Sequence, residues 1–167
     1  MIYTVGHSNH SAEHFIALLR QHDIGALADV RSMPFSRFNP QFNRARLAAA
    51  LRDVGIQYVF LGQELGARPK EREYYEGDRV SYAKLAQSER FRRGLERVMA
   101  ESQKHRVALM CAERDPLQCH RTLLISPELE GGGVPVTHIL PDGSLETHAQ
   151  LVQHLNPDPQ AAFPFGS

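Results

Sequence analysis

Short runs rich in β-branched and aromatic residues alternate along the chain with stretches whose apolar positions recur every three or four residues. Ile2-Tyr3-Thr4-Val5 reads as a first strand, and residues 24–30 read as a second that runs into Arg31-Ser32. Residues 56–61, 107–110 and 134–140 supply three more. Between them, Ser11 can cap a helix with Ala12, Phe15, Ile16 and Leu19 on one face. A helix from about Asn43 aligns Leu47, Ala50, Leu51 and Val54 before Gly55 stops it, and Ser88 can cap another bearing Phe91, Leu95, Val98 and Met99. Apolar strands alternating with helices predict an α/β fold: a three-layer sandwich with a mostly parallel sheet of about five strands and helices on both faces.

Two segments interrupt this rhythm. Residues 62–80 form a long polar connection, of a length that in compact folds is often functional. After the turn signal Pro141-Asp142-Gly143, Leu145 begins either a short return strand or the last helix. The proline-containing end, 156–167, reads as a flexible tail, which leaves 1–155 as a single domain. At 167 residues, such a chain buries enough surface to fold without a disulfide or a metal.

Nineteen Lys+Arg balance nineteen Asp+Glu, so net charge exerts no pull toward nucleic acid or anionic lipid, and any such partner must meet a local patch. No apolar run approaches the ~20 residues of a membrane span, and the N-terminus lacks the basic and apolar regions of a secretory signal. Two cysteines, Cys111 and Cys119, are too few for a secreted disulfide scaffold. The expectation is a cytoplasmic protein with free thiols and no membrane partner.

In open parallel sheets, ligands sit outside the carboxyl ends of the strands. Those ends carry His7, Ser8 and Asn9 after the first strand, Asp29, Arg31 and Ser32 at the second, and Gln63 and Glu64 after the third. Cys111, Glu113, Arg114 and Asp115 follow the fourth, and His138 lies near the end of the fifth. Asp115 before Pro116 is a helix start, which Gln118 completes as a capping box. Cys119, His120 and Arg121 would then occupy the first two turns, where the helix dipole favours both an anion and a thiolate. Pro127 should kink or shorten that helix without touching its start.

Three chemistries fit these residues. A zinc site drawn from Cys111, Cys119, His120 and His7 lacks the two-residue spacing of structural zinc motifs, so no metal ligands are assigned. Thiol chemistry at Cys111 or Cys119 is the second. Asp29-Val30-Arg31 after one strand, with Cys111 ending another, resembles the rhodanese-like sulfurtransferases. Those enzymes, however, cradle a thiolate with backbone amides and an arginine, where this loop carries Glu113 and Asp115. The third is anion recognition by Arg31 and Arg121 with a carboxylate, Asp29, Glu64 or Glu113, as acid or base. The plain alternative for both cysteines is packing as small buried apolar groups.

Between Arg31 and Arg46 the chain carries Arg31, Arg37, Arg44 and Arg46, no acid, and Phe35, Phe38 and Phe42 interleaved. Arginines among aromatics suit a nucleic-acid strand, whereas the neutral chain favours phenylalanines that anchor a loop and arginines that face water. Residues 68–79 balance basic against acidic side chains and add no basic patch, although Tyr74 and Tyr75 could close over a ligand.

In order, the chain carries Thr4-Val5-Gly6-His7-Ser8-Asn9, Asp29-Val30-Arg31-Ser32-Met33-Pro34, Leu61-Gly62-Gln63-Glu64-Leu65-Gly66, Met110-Cys111-Ala112-Glu113 with Cys119-His120-Arg121, and Val136-Thr137-His138-Ile139. This set resembles the domain-of-unknown-function family 488 over roughly residues 1–145. The resemblance implies a bacterial-type soluble α/β protein with these motifs gathered at one site. It carries over His7, Ser8, Asn9, Asp29, Arg31, Ser32, Glu64, Cys111, Glu113, Cys119, His120 and Arg121 as motif positions without chemical roles. The working expectation is a small enzyme acting on a phosphate-bearing ligand, a nucleotide or a nucleic-acid end, at the carboxyl edge of the sheet. In it Arg31 and Arg121 hold the anion, with Ser8, Asn9, Asp29, Ser32 and Cys111 lining the ligand. His7 and His120 move or orient protons, Glu64 or Glu113 is the acid or base, and Cys119 is a candidate nucleophile. A non-catalytic nucleic-acid or nucleotide-binding module and a thiol enzyme are the alternatives, and no cofactor follows from the sequence.

Overall fold

The computed structural model describes residues 1–155; the expected tail, 156–167, lies outside the described residues. Strands β1 (Ile2–Gly6), β2 (Ala26–Asp29) and β6 (Val107–Cys111) are buried at every position, as continuous apolar runs in a parallel sheet should be. With β3 (Gln57–Phe60), β7 (Val136–Ile139) and β8 (Leu145–Thr147) they form a six-stranded sheet in the order β3-β2-β6-β1-β7-β8. All pairings are parallel except β7 with β8. The expected sheet of about five strands thus gains one antiparallel edge, because the turn at Gly143 (φ 89°) sends Leu145 back along β7 as the return strand.

Side chains alternate across this sheet into two apolar clusters. Helices α1 (Ala12–Gln21) and α2 (Arg44–Asp53) cover one face with Phe15, Leu18, Leu19, Leu47 and Leu51. On the other face lie α3 (Gly62–Leu65), α4 (Tyr82–Gln87), α5 (Glu89–Ser102) and α6 (Ser126–Gly131). Ser11 and Ser88 cap α1 and α5 through the amides of His14 and Phe91, and Gly55 (φ 78°) ends α2, as the sequence predicts. Helix α7 (His148–Leu155) follows β8.

The long connection is not without structure. Besides α3 it holds a helical turn, Arg72–Tyr74, and a two-stranded ribbon of β4 (Tyr75–Glu76) and β5 (Arg79–Val80). The segment after β6 also departs from expectation. Asp115 does cap, accepting from the Leu117 amide, but only a single tight turn, Pro116–Gln118, follows. Cys119 is extended, and its carbonyl accepts from the Thr122 and Leu123 amides, so the helical run starts after it. That run opens as a π-helical turn, Arg121–Ile125, before α6. Pro127 near the start of α6 has no N–H to give the preceding turn, while the Ser126 amide and hydroxyl both bond the Arg121 carbonyl.

Candidate functional site

The carboxyl ends of β2 and β6 open onto a cleft of about 570 Å³. Of the expected residues, Arg31, Ser32, Cys111, Glu113, Cys119 and His120 line it. Arg31 and Cys119 therefore line one hollow, although 88 positions separate them in sequence.

Arg31 is held from behind. Its Nε and Nη2 donate to the two carboxylate oxygens of Asp29 at 2.9 and 2.8 Å, and Nη2 donates again to the Phe42 carbonyl at 2.8 Å. Asp29 is fully buried and also accepts from the Tyr58 hydroxyl at 2.5 Å. Burial and the adjacent carboxylate together push that phenol above its usual range. His7 completes the cradle. Its Nδ1 donates to the Ser8 carbonyl at 2.7 Å, which leaves Nε2 as the acceptor facing Arg31 Nη1 at 3.3 Å. Burial, with a smaller effect from the Arg31 charge, lowers the His7 pKa to about 4, and its ring stacks on Phe42 at 4.5 Å. The one basic nitrogen of His7 is thus engaged by Arg31, and the imidazole acts on Arg31 rather than on the cleft.

His120 differs. Its Nε2 donates to the Val30 carbonyl at 3.0 Å, so the lone pair on Nδ1 faces Cys119 Sγ at 3.7 Å. Burial lowers its pKa to about 4, helped by the charges of Arg121 and Arg68. Cys111 and Cys119 are joined as a disulfide, not the free thiols expected. The tight turn after Asp115 folds the chain back until Cys119 meets the end of β6. Both cysteines also pack in the apolar cluster, so the plain reading of them as buried apolar groups describes their packing.

Arg121 does not reach the cleft. It is wholly buried on the α6 face of the sheet, where Nη1 donates to Thr4 Oγ1 at 3.3 Å and Nη2 to the Glu113 carbonyl at 3.4 Å. Burial lowers its pKa to about 9. Gly6 permits this approach, since a Cβ there would collide with the Glu113 carbonyl. Thr4 continues to His138 Nδ1 at 2.6 Å and His138 Nε2 to His148 Nδ1 at 3.1 Å, a buried polar chain of which the sequence reading missed His148. Burial lowers the His138 pKa to about 3, with the Arg121 charge adding to it.

Glu64 opens into a neighbouring groove with Lys70, Arg90, Arg93 and Arg97, separated from the cleft where the Arg68 amide bonds Ser32 Oγ at 2.9 Å. The Ser8 amide bonds the Ala112 carbonyl and the Ser8 hydroxyl donates to Asn9 Oδ1, and neither Ser8 nor Asn9 lines the cleft. Tyr74 and Tyr75 do not line it either; Tyr82, Val80, Arg79 and Arg68 do. Arg68 and Arg79 are functional candidates that the even charge of their segment concealed. Glu71 and Glu76 pair with Arg90 and Lys84; Glu76 stands across from Arg79 in the ribbon, but no carboxylate forms an ion pair with Arg68 or Arg79 among the described residues. Met33 and Phe35, which line the cleft, are exposed, as is Phe38 (89%), which does not line it, whereas Phe42 is buried. The anchoring expected of all three phenylalanines holds for Phe42 alone.

Fold and site define an α/β protein with a cation-rich cleft at the carboxyl edge of a mostly parallel sheet. The chain belongs to the family described as Domain of unknown function DUF488, whose model matches residues 11–126. Neither functionally described proteins nor solved structures give a match. Among the described residues, no helix is long and apolar enough to cross a membrane.

Proposed function

We propose that the protein is a small enzyme acting on a phosphate-bearing ligand, a nucleotide or a nucleic-acid end, in the cleft between β2 and β6. The observation that carries this reading is the charge of the lining: Arg31, Arg68 and Arg79 against the single carboxylate of Glu113. Arg31 keeps one Nη1 N–H beyond those given to Asp29, Phe42 and His7, and Asp29 fixes the guanidinium plane. Arg68 and Arg79 supply charge that no ion pair holds among the described residues, and Met33, Phe35 and Tyr82 offer apolar surface to a base. Glu113 is the acid or base of this site, and Arg121 fixes it by holding its carbonyl. Calorimetric titration with a nucleoside 5′-monophosphate and with the parent nucleoside tests the reading. The phosphate form should bind at least tenfold more tightly, and Arg68→Ala with Arg79→Ala should erase the difference. Equal affinities for the two would overturn it.

The exposure of Phe35 and Phe38 beside Arg37 favours a second reading, a module that binds single-stranded nucleic acid without chemistry. It requires salt-dependent binding of an unmodified oligonucleotide that Phe38→Ala with Arg37→Ala weakens. Binding that ignores salt would remove it.

A further inference from the structure

The floor of the cleft carries chemistry that phosphate recognition does not use. We propose that Cys111 and Cys119 are a reversible dithiol/disulfide couple, in which Cys119 is the attacking thiol toward a small anionic disulfide entering the cleft.

Four observations converge on this. Both cysteines line the cleft, yet each is only 2% exposed, so a reactant reaches them through that opening. The lone pair of His120 faces Cys119, not Cys111, which singles out one of the two as nucleophile. Each cysteine is also fixed without the S–S bond. Cys111 pairs with Gly6 in the sheet, and its carbonyl accepts from the His7 amide at 2.9 Å. The Cys119 amide bonds the Pro116 carbonyl at 3.3 Å, and its own carbonyl receives the Thr122 and Leu123 amides at 3.0 Å. Finally, the cysteines stand eight residues apart, and closing so short a loop stabilises the folded chain less than closing a long one would. The bond is placed where it can react, and each cysteine has backbone partners of its own besides it.

In the reduced protein, Cys119 Sγ attacks one sulfur of the disulfide as its proton passes to His120 Nδ1. A Cys119–S–R bond forms, the substrate S–S bond breaks, and the departing thiolate takes the proton back from His120. Cys111 then gives its proton to the second leaving thiolate as it attacks Cys119 Sγ. The products are the Cys111–Cys119 disulfide and two small thiols, two electrons having passed to the substrate; an external dithiol restores the reduced pair. Arg31, Arg68 and Arg79 face this chemistry with Glu113, which is why the preferred disulfide carries negative charge.

The couple stands apart from phosphate binding, and its test contains no phosphate ligand. The protein is reduced with dithiothreitol in native buffer, reoxidised with glutathione disulfide, and followed by intact mass. Two hydrogens should be gained and lost with the fold retained by circular dichroism. Cys111→Ser should accumulate a glutathione adduct on Cys119, and Cys119→Ser should form one at least tenfold more slowly. His120→Gln in the Cys111→Ser background should slow adduct formation at least tenfold, and cationic cystamine should react more slowly than glutathione disulfide. A disulfide that opens only in denaturant, or adducts that form equally fast on both variants, would overturn the proposal.

Discussion

Arg31 and Asp29 form the only carboxylate pair in which both partners are nearly or wholly buried among the described residues. Their worth lies in mutual compensation: removing one partner leaves a buried charge without its counterpart. Asp29→Asn is expected to cost about 3–5 kcal/mol, read as a lower urea midpoint with an unchanged slope. The phenylalanines give a matched contrast. Phe42, wholly buried against His7 and Phe15, should lose about 3–5 kcal/mol on change to alanine. Phe38, 89% exposed, should change stability by less than about 0.5 kcal/mol, and any effect it has should appear in ligand binding.

The elements meet most tightly where β1 ends. Gly6 lets the backbone of the 111–119 segment approach until the Glu113 carbonyl and Arg121 Nη2 close over it. Gly6→Ala should therefore push that segment outward and cost upwards of about 2 kcal/mol, measured by thermal or urea unfolding. Gly55→Ala is the control for glycine replacement as such. It meets no neighbour, and only its positive φ opposes the change.

Across the whole molecule, the buried histidines set the response to acid. His7 and His120 are lowered to about 4 and His138 to about 3, against an unfolded value near 6.5. Between these values the unfolded chain binds protons that the folded chain refuses, so stability rises with pH through this window. Stability is full above about pH 6.5 and declines as pH falls toward 4, by on the order of 2 kcal/mol for His7 alone at pH 5. Urea unfolding at pH 7.5 and at pH 5 reads this loss directly. A stability that is flat over this range would mean that these imidazoles are solvated in the folded protein.

The sequence by itself determined the alternation of strands and helices, the caps at Ser11 and Ser88, the stop at Gly55, and the residues that crowd the strand ends. Each of these is a local preference, set by apolar periodicity or by one side chain satisfying nearby amides. It also placed Arg31, Ser32, Cys111, Glu113, Cys119 and His120 at one edge, because parallel strands bring all their carboxyl ends to the same side. Only the tertiary structure decided which of those residues share a hollow. The pairing of Glu71 and Glu76 with side chains outside their own segment uncovered Arg68 and Arg79. The extended Cys119, joined to Cys111 before the helical run begins, turned two expected thiols into one bond, and the approach over Gly6 carried Arg121 out of the cleft into the core. These outcomes depend on contacts between positions far apart in the chain or on how a loop closes, and no local spacing encodes which charge will be neutralised or which sulfur will be met.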